Sequence, residues 1–430
     1  MRSTPKRGNN QLLIRMKGIA LRKISGNAGA LLLIQAANAL LPLVLAPYLT
    51  RTLGKEVYGL FAFGIAIIQV ASILTDYGFG LSAVYQIARA GTNRDRIRRI
   101  AGAVFAVKSA ICLISIFALF LFPLLQSDYN AHREYFWLLS LSVIGLALQP
   151  VWLFQGIERM SLITTYVLVS RLSFVVLTVL LVKSPDDLML VALFNGITHI
   201  ASGVIALIFV RRIGHWPIWP GARYALLILR GSTGYFWSRL AVVSYGSGAT
   251  IFLGTLSTPS QVAIYSVAEQ FYRGALAVYA PVTQALYPHM AKHRDVELFK
   301  KILSAAIVLA ALGILTGLIA GKWLIGSIFG HQYDESYPVL LVFMLALAAA
   351  IPSILLGYPF LGAMGNATAA NRSVLFAGVV QVAALGFLFM SNQTSALAVV
   401  SAVLVAEVSA LIWRMKYAAP YFSLPRPAAN

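Results

Sequence analysis

Long apolar runs recur along the whole chain and constrain its fold more than any other feature. The 430 residues are 59% hydrophobic and 11% charged, whereas roughly a quarter of a soluble domain is charged. A helix needs about 20 apolar residues to cross the hydrocarbon core of a bilayer. We therefore expect an all-α polytopic membrane protein with about twelve transmembrane helices. The candidate spans are residues 28–50, 57–77, 101–125, 135–154, 161–182, 188–210, 232–256, 261–287, 302–325, 337–358, 373–391 and 394–413.

The positive charges fall unevenly between the two sides of these spans. The chain has 34 Lys and Arg against 14 Asp and Glu. When the N-terminus is placed inside, the inside segments carry about five times as many Lys and Arg as the outside segments, as expected of cytoplasmic loops. This pattern predicts cytoplasmic N- and C-termini. It also accounts for the net charge of +20, so no nucleic-acid partner is expected.

The longest middle connection divides the spans into two halves of six. Short segments in the two halves, 53–61 and 256–265, follow the same order: a leucine, a polar turn, a small residue, then aliphatic and aromatic residues. This similarity favours an internal repeat, which is common in transporters, although two apolar hairpins can also resemble each other by chance. The predicted units are a basic segment 1–27, an N-lobe 28–210, a cytoplasmic or interfacial linker 211–231, a C-lobe 232–415 and a tail 416–430.

Some ionisable residues lie inside apolar runs, where such residues are costly and usually face a cavity. Arg273 lies roughly 18 Å into its span. Glu269 is four residues earlier and shares its helix face. Two interpretations stay open: a structural pair that neutralises itself, or a cationic site for an anion that Glu269 modulates. Arg171 has no acidic residue at helical spacing.

Four further residues complete this set. Lys108 and Arg239 each lie about 10 Å from the cytoplasmic end of a span, so either can face a cavity or extend to the interface. Asp76 lies beside two glycines and can cap a helix, whereas Glu407 lies in the middle of a span. With Glu269, these two acids are candidates for coupling or modulating residues. Arginine binds phosphate groups bidentately, so we expect a cationic substrate-binding cavity. Its predicted residues are Arg273, Arg239, Arg171 and Lys108.

Motifs of soluble and metal-dependent enzymes are absent. The sequence contains no P-loop, HExxH or GxSxG pattern. Its single cysteine, Cys112, excludes an internal disulfide, and its six histidines lack ligand spacing. We predict no catalytic residues, no metal site, no cofactor and no enzymatic activity.

Two segments carry a resemblance to a known family. Residues 42–89 contain PYLTRTLG, YGLFAFGIAIIQ, TDYGFGLSA and IAR, and residues 262–288 read VAIYSVAEQFYRGALAVYAPVTQALYP. Both resemble hairpins of Wzx-type polysaccharide repeat-unit flippases of the multidrug/oligosaccharidyl-lipid/polysaccharide exporter superfamily. The resemblance implies two six-helix lobes around a central cavity that opens alternately to each side.

The same resemblance implies a substrate and a location. The substrate would be a short oligosaccharide on undecaprenyl pyrophosphate, moved from the cytoplasmic to the periplasmic leaflet of the bacterial inner membrane for O-antigen or another surface polysaccharide. Coupling to H+ or Na+ is implied, as are membrane lipids and other polysaccharide assembly proteins as partners. Polar and aromatic residues could contact the sugar or merely join helices. These are Gln35, Asn38, Tyr265 and Tyr272.

Two alternatives stay open at this point. The same fold could carry lipid II or exchange drugs for cations, although a drug/cation antiporter should favour acidic cavity residues. A membrane-embedded glycan polymerase is a different class, and it would need a larger outer loop than any predicted here.

Overall fold

The computed structural model consists of helices and connections in the part of the chain that it describes. It describes the backbone of residues 7–423, and the side chains of that range except those of 7–28, 30–40, 238, 241–245 and 423. Short 3-10 turns and one π-helical turn, Leu356–Gly362, join some of the α-helices. The α-helices are α1 (Arg7–Asp76), α2 (Phe79–Ala90), α3 (Arg94–Leu125), α4 (Arg133–Leu148), α5 (Val151–Gly156), α6 (Met160–Leu181), α7 (Leu188–Arg212), α8 (Ala222–Gly246), α9 (Gly248–Leu256), α10 (Pro259–His293), α11 (Val296–Phe329), α12 (Ser336–Leu355), α13 (Ala367–Met390) and α14 (Ala396–Ser423).

Nine helical segments within residues 7–423 are long and apolar enough to cross a membrane. This finding confirms the prediction of an all-α polytopic membrane protein. One of the nine, Leu41–Ala90, contains a break at Gly54, so α1 consists of two helical arms. Helix α10 has 35 residues and carries Glu269 and Arg273. The total of twelve spans in two six-helix lobes stays a prediction.

The breaks between helices occur at residues that cannot continue a regular helix. Gly54 has φ 77° and ψ 174°, a conformation that a residue with a Cβ rarely adopts. Gly78, which precedes α2, also has φ 77°. Pro150 separates α4 from α5 and has no N–H to continue the hydrogen-bond ladder. These breaks divide long apolar stretches into segments that point in different directions.

Small residues allow helices α4 and α7 to approach closely. A Cβ on Gly203 would lie 2.7 Å from the Leu148 Cβ, and one on Gly196 would lie 2.5 Å from the Leu141 Cβ. Gly196 and Gly203 are seven residues apart and therefore lie on one face of α7. Glycine at such a contact is typical of helix pairs in membranes, where van der Waals packing drives association.

Helices of the two halves also contact each other. Within the first half, α1 contacts α3, α4 and α6; within the second, α12 contacts α10, α11 and α14. Between the halves, α1 contacts α9 and α10, and α8 contacts α2 and α3. Helix α12 is largely buried among its neighbours, whereas α11 exposes an apolar face. Such a face is suited to lipid.

The connection between α7 and α8 spans only residues 213–221, so α8 begins inside the predicted linker 211–231. It is fixed to α3, because the Ile218 N–H donates to the Arg98 carbonyl at 3.1 Å. The Arg98 Nε donates in turn to the Trp216 carbonyl, also at 3.1 Å. The exposed ring of Trp216 suits a position at the lipid headgroups.

Candidate functional site

A cavity of about 700 Å³ lies between helices of the two halves. Both arms of α1 line it, together with α6 and α7 of the first half and α9 and α10 of the second. Its volume falls within the range of ligand sites, about 300–1,000 Å³. Since residues from both halves form its walls, relative movement of the halves would change its shape.

The Glu269–Arg273 pair on α10 faces this cavity. Arg273 Nη2 lies 2.8 Å from Glu269 Oε1, which confirms that residues four apart in the sequence meet on one helix face. The Arg273 side chain is 45% exposed and that of Glu269 is 14% exposed. Both line the cavity. The pair is thus an ion pair within the helix, and its arginine remains accessible from the cavity.

Arg171 reaches the same cavity from α6. It is half-buried and makes no ion pair with a carboxylate of the described residues. His199 of α7 lies close enough for an electrostatic interaction with it. Arg171 therefore brings to the cavity, from a different helix, a positive charge that forms no ion pair with Glu269.

The cavity walls also contain polar residues that were not among the predicted site residues. Asn195 and His199 are four residues apart on α7 and line the cavity. Ser142 donates to Asn195 Oδ1 at 2.7 Å. His199 Nδ1 lies 3.5 Å from Gln149 Nε2. His199 lies roughly 17 Å into the apolar run that begins at residue 188. An ionisable residue at such a depth could have been recognised as a site candidate.

The structure places Lys108 outside the cavity. Its side chain is buried, and Nζ lies 3.5 Å from the Gln149 carbonyl. That carbonyl lies at the break before Pro150, where it does not accept the hydrogen bond that a continuous helix would supply. Lys108 therefore stabilises the break between α4 and α5, and it neither lines the cavity nor extends to the interface.

Asp76 and Arg239 also lie away from the cavity lining. Asp76 Oδ2 accepts a hydrogen bond from the Gly80 N–H at 3.2 Å, so this carboxylate caps the start of α2. Arg239 is exposed on α8. The expectation that four cations share one cavity needs correction: Arg171 and Arg273 line it, whereas Lys108 and Arg239 do not.

The remaining predicted residues of the second half pack in its interior. Tyr265 and Tyr272 are buried, with ring centroids 5.3 Å and 5.1 Å from that of Phe343. Tyr272 Oη donates to Glu407 Oε1 at 2.6 Å, and Glu407 is also buried. These side chains do not line the cavity. The side chains of Gln35 and Asn38 lie outside the described residues.

One end of the bundle, which holds Gly54, Thr258 and Gly330, is closed by contacts between the halves; we call it the hairpin end. Lys55 Nζ lies 2.6 Å from Glu335 Oε2. Around it, hydrogen bonds join the part of α1 before Gly54 to the end of α11 and the turn that precedes α12, and they join the connection between α3 and α4 to the end of α9. They run from Arg51 to Ile328 and Ser327, from Gln332 and Tyr333 to Thr50, from Gln126 to Thr255, and from Tyr129 to Gly254.

Arg414 on α14 is a buried cation. Because it follows the predicted span 394–413, it was expected on the cytoplasmic side of the membrane. Its Nη1 donates to the Ser353 carbonyl at 2.6 Å and to Ser353 Oγ at 2.9 Å. Its Nε donates to Ser373 Oγ at 2.7 Å. One guanidinium thus joins α12, α13 and α14 beside a second cavity of about 470 Å³. Its spacing of seven residues from Glu407 places both on one helix face.

Outside the membrane-spanning segments, burial lowers the pKa of the His215 imidazole. The Ile213 carbonyl that it contacts raises this pKa, and the guanidinium groups of Arg94, Arg159 and Arg98 lower it. Since the ordinary pKa is about 6.5, this histidine is neutral at pH 7. The positive charge of this surface comes from the arginines.

No three histidine, cysteine, aspartate or glutamate residues lie together as a metal site in the part of the chain that the structure describes.

The helices and the shared cavity place the protein in a class of polytopic membrane transporters. One similar structure is lipid II flippase MurJ in an inward closed conformation, with a TM-score of 0.72 and 11% identity over 91% of this chain and 87% of that one. Another is an inward-facing multidrug resistance MATE family transporter of the MOP superfamily, with a TM-score of 0.58 and 15% identity over 90% of this chain and 100% of that one. At these identities the similarity establishes the fold.

The family follows from the sequence comparisons. Residues 24–294 match the family described as polysaccharide biosynthesis protein, and the chain belongs to this family. A protein of Escherichia coli (strain K12) named as an O-antigen transporter is 31% identical over 323 residues, which are 73% of this chain and 77% of that protein. A protein of Shigella dysenteriae with the same name is 28% identical over 330 residues, 76% of this chain and 83% of that protein. These findings confirm the resemblance carried by residues 42–89 and 262–288.

Proposed function

We propose that this protein is a flippase that moves undecaprenyl-pyrophosphate-linked oligosaccharide repeat units from the cytoplasmic to the periplasmic leaflet of the inner membrane. The relatives named as O-antigen transporters support a role in O-antigen or other surface polysaccharide synthesis. The flippase fold supports the movement of a lipid-linked cargo. The proposal includes cytoplasmic N- and C-termini, as the distribution of Lys and Arg favours.

The observation that carries this proposal is the meeting of Arg171 and Arg273 in one cavity, from different halves of the chain. A guanidinium donates two parallel hydrogen bonds to a phosphate group. Arg273 forms an ion pair with Glu269, whereas Arg171 makes no ion pair with a described carboxylate. The net charge of these three side chains is positive, which suits a pyrophosphate and disfavours a cationic drug.

The transport cycle that we propose is alternating access. In the structure the hairpin end is closed by Lys55–Glu335 and the hydrogen bonds around it. Release toward that side requires these contacts to break while the cavity keeps its two arginines on separate halves. A proton or sodium gradient would drive this exchange, and Glu269 is the carboxylate in the cavity that could respond to it.

The test is a clean deletion complemented with variants, followed by measurement of the lipid-linked repeat unit on each leaflet. We expect Arg171→Gln and Arg273→Gln each to reduce surface glycan by at least about tenfold, the effect of roughly 1.4 kcal/mol of lost binding. Repeat units should then accumulate on the cytoplasmic leaflet. Arg372→Gln is the matched control, because Arg372 is exposed and lies outside the cavity.

Three outcomes would overturn the proposal. Repeat units that reach the periplasmic leaflet unpolymerised in the deletion strain would place the protein after the flipping step. Wild-type levels of surface glycan in a variant that combines Arg171→Gln with Arg273→Gln would show that the cationic cavity does not bind the cargo. Turnover of the lipid-linked substrate by purified protein would instead identify an enzyme.

A further inference from the structure

His199 occupies a position in the cavity that the proposed transport cycle does not yet use. It lies on α7, lines the cavity with Asn195, and is held by its contact with Gln149 at the α4–α5 break. Arg171 lies on the neighbouring helix α6 and interacts with it electrostatically. An imidazole changes its charge between pH about 5 and about 8, so this wall of the cavity carries one fixed positive charge and one that can vary.

The groups that face His199 come from every helix packed around it. Helix α6 contributes Arg171, and the end of α4 contributes the neutral amide of Gln149. Lys108 of α3 contacts the backbone carbonyl of the same glutamine at 3.5 Å. In the same cavity lining, α10 contributes Glu269 and Arg273, which pair with each other, and α1 contributes the phenol of Tyr58. Among the described residues, no carboxylate forms an ion pair with His199.

We propose that Arg171 and His199 form a proton-linked anion site, in which a phosphate-type anion bound at Arg171 is held more tightly when His199 carries a proton. This inference rests on the proposed function, because it assigns the headgroup of an anionic cargo to this wall. A protonated imidazole beside Arg171 places two like charges together. An anion bound at both offsets their repulsion and gains a second charged hydrogen-bond donor.

Thermodynamic linkage gives the consequence. If the bound anion favours the imidazolium, binding takes up a proton, and affinity rises as the pH falls through the range in which the imidazole of the anion-bound complex titrates. The effect belongs to the ligand–protein complex, and it requires no change in Arg171, which stays charged throughout. The proton at His199 is taken up together with the anion, and it is distinct from the driving ion, which the proposed cycle assigns to Glu269.

The experiment measures anion binding to the full-length protein in lipid nanodiscs at pH about 5.5 and about 7.5, the range in which histidine titrates. The probes are inorganic sulfate and farnesyl sulfate, whose charges do not change between these pH values. We expect the affinity of the wild type for at least one of them to be about threefold or more higher at the lower pH, within the tenfold limit for each unit of pKa change on binding. Binding titrations in buffers of different ionisation enthalpy should show proton uptake.

Variants show whether the pH dependence of anion binding comes from His199 and Arg171. His199→Gln keeps a polar side chain but cannot be protonated, so it should bind equally at both pH values, with the affinity of the wild type at the higher pH. Arg171→Gln should lose binding at both. His289→Gln is the control, because His289 lies near the end of α10 beside His293 and outside the cavity lining. It should keep the pH dependence of the wild type.

The outcomes separate this inference from the proposed function. Equal affinity of the wild type at both pH values, or a pH dependence that survives His199→Gln, would overturn the inference even where repeat units are still flipped. Proton-linked sulfate binding in a protein that flips no repeat unit would instead overturn the proposed function alone. A pH effect with farnesyl sulfate only would identify a lipid headgroup as the ligand, and an equal effect with both probes would show that a free anion suffices.

Discussion

Gly59 of α1 packs directly against the backbone carbonyl of Pro259, the first residue of α10, and a Cβ on Gly59 would overlap it. The two residues belong to the two segments whose similar order suggested an internal repeat. The corresponding hairpins therefore meet face to face at the hairpin end. Close contact between two backbones explains why a small residue occupies this position in the first hairpin.

We expect Gly59→Leu to prevent the hairpins from meeting and so to disfavour the closed hairpin end. A side chain there must displace backbone, and insertion of methylene groups into packed interiors typically costs about 1–3 kcal/mol. Labelling of the single-cysteine variant Lys55→Cys by a membrane-impermeant maleimide, in a Cys112→Ala background, should become faster in Gly59→Leu. The proportion of folded protein in detergent provides the necessary check on stability.

Gly313→Leu on α11 is the matched control, because a Cβ at Gly313 meets no atom within 4 Å. It should leave the labelling rate unchanged. Unchanged labelling in folded Gly59→Leu would contradict the inference that this contact keeps the hairpin end closed.

The helices could be predicted from the sequence because their signals are local. A run of apolar residues reports a span, and the breaks at Gly54 and Pro150 occur at residue types that interrupt helices. The start of α8 at Ala222 was harder to predict from the sequence, since the interfacial residues before it and the first turn of the helix have similar composition. The repeat was visible as a pattern, but its contact at Gly59 depends on three-dimensional packing.

The salt bridge between Lys55 and Glu335 is the basis of a second prediction. Cross-linking Lys55→Cys to Glu335→Cys with a short bismaleimide, in the Cys112→Ala background, should stop transport, because it joins the halves at the hairpin end. Reversal with a cleavable cross-linker should restore transport. Each single-cysteine variant treated with the same reagent serves as the control. Undiminished transport by the cross-linked protein would show that this end does not open during the cycle.

The same pair should contribute little to stability. Glu335 is 69% exposed and Lys55 is 20% exposed, and exposed ion pairs typically contribute about 0–1 kcal/mol. A double-mutant cycle with Lys55→Met and Glu335→Gln should therefore give a coupling free energy of unfolding below about 1 kcal/mol, which decreases further at high salt. A coupling free energy several times larger would contradict the assignment of this pair to the opening of the hairpin end.

The composition of the cavity was only partly predictable, because helix depth does not tell which helices adjoin. Arg171 and Arg273 were identified from their depth, and both line the cavity. Lys108 has a similar signature but faces the α4–α5 break. Arg414 lies beyond the end assigned to its span, so its hydrogen bonds to Ser353 and Ser373 could not be anticipated from hydropathy.

Arg414→Lys should destabilise the second half of the chain. A lysine ammonium cannot reproduce the planar set of donors that reaches Ser353 and Ser373 together. The loss of hydrogen bonds to a buried charged group corresponds to about 1.5–3 kcal/mol. We expect a lower Tm in detergent for Arg414→Lys than for Arg372→Lys, whose arginine is exposed. Equal Tm values would show that the guanidinium geometry does not hold α12, α13 and α14 together.

Glu407 has two candidate roles, a structural one and one in ion coupling. Variants of the Tyr272–Glu407 hydrogen bond distinguish them. The pair is buried in the second half and lies outside the cavity lining, so we expect its role to be structural. Glu407→Gln keeps an acceptor for the Tyr272 hydroxyl and should retain transport, together with its dependence on an imposed proton or sodium gradient.

Tyr272→Phe should lower stability by about 1–3 kcal/mol, the effect of removing one partner from a buried hydrogen bond. Tyr287→Phe on the same helix, at an exposed position, should change neither property. Transport that no longer responds to the gradient in folded Glu407→Gln would instead make Glu407 the coupling residue, with its proton or sodium ion bound outside the cavity that holds Arg171 and Arg273.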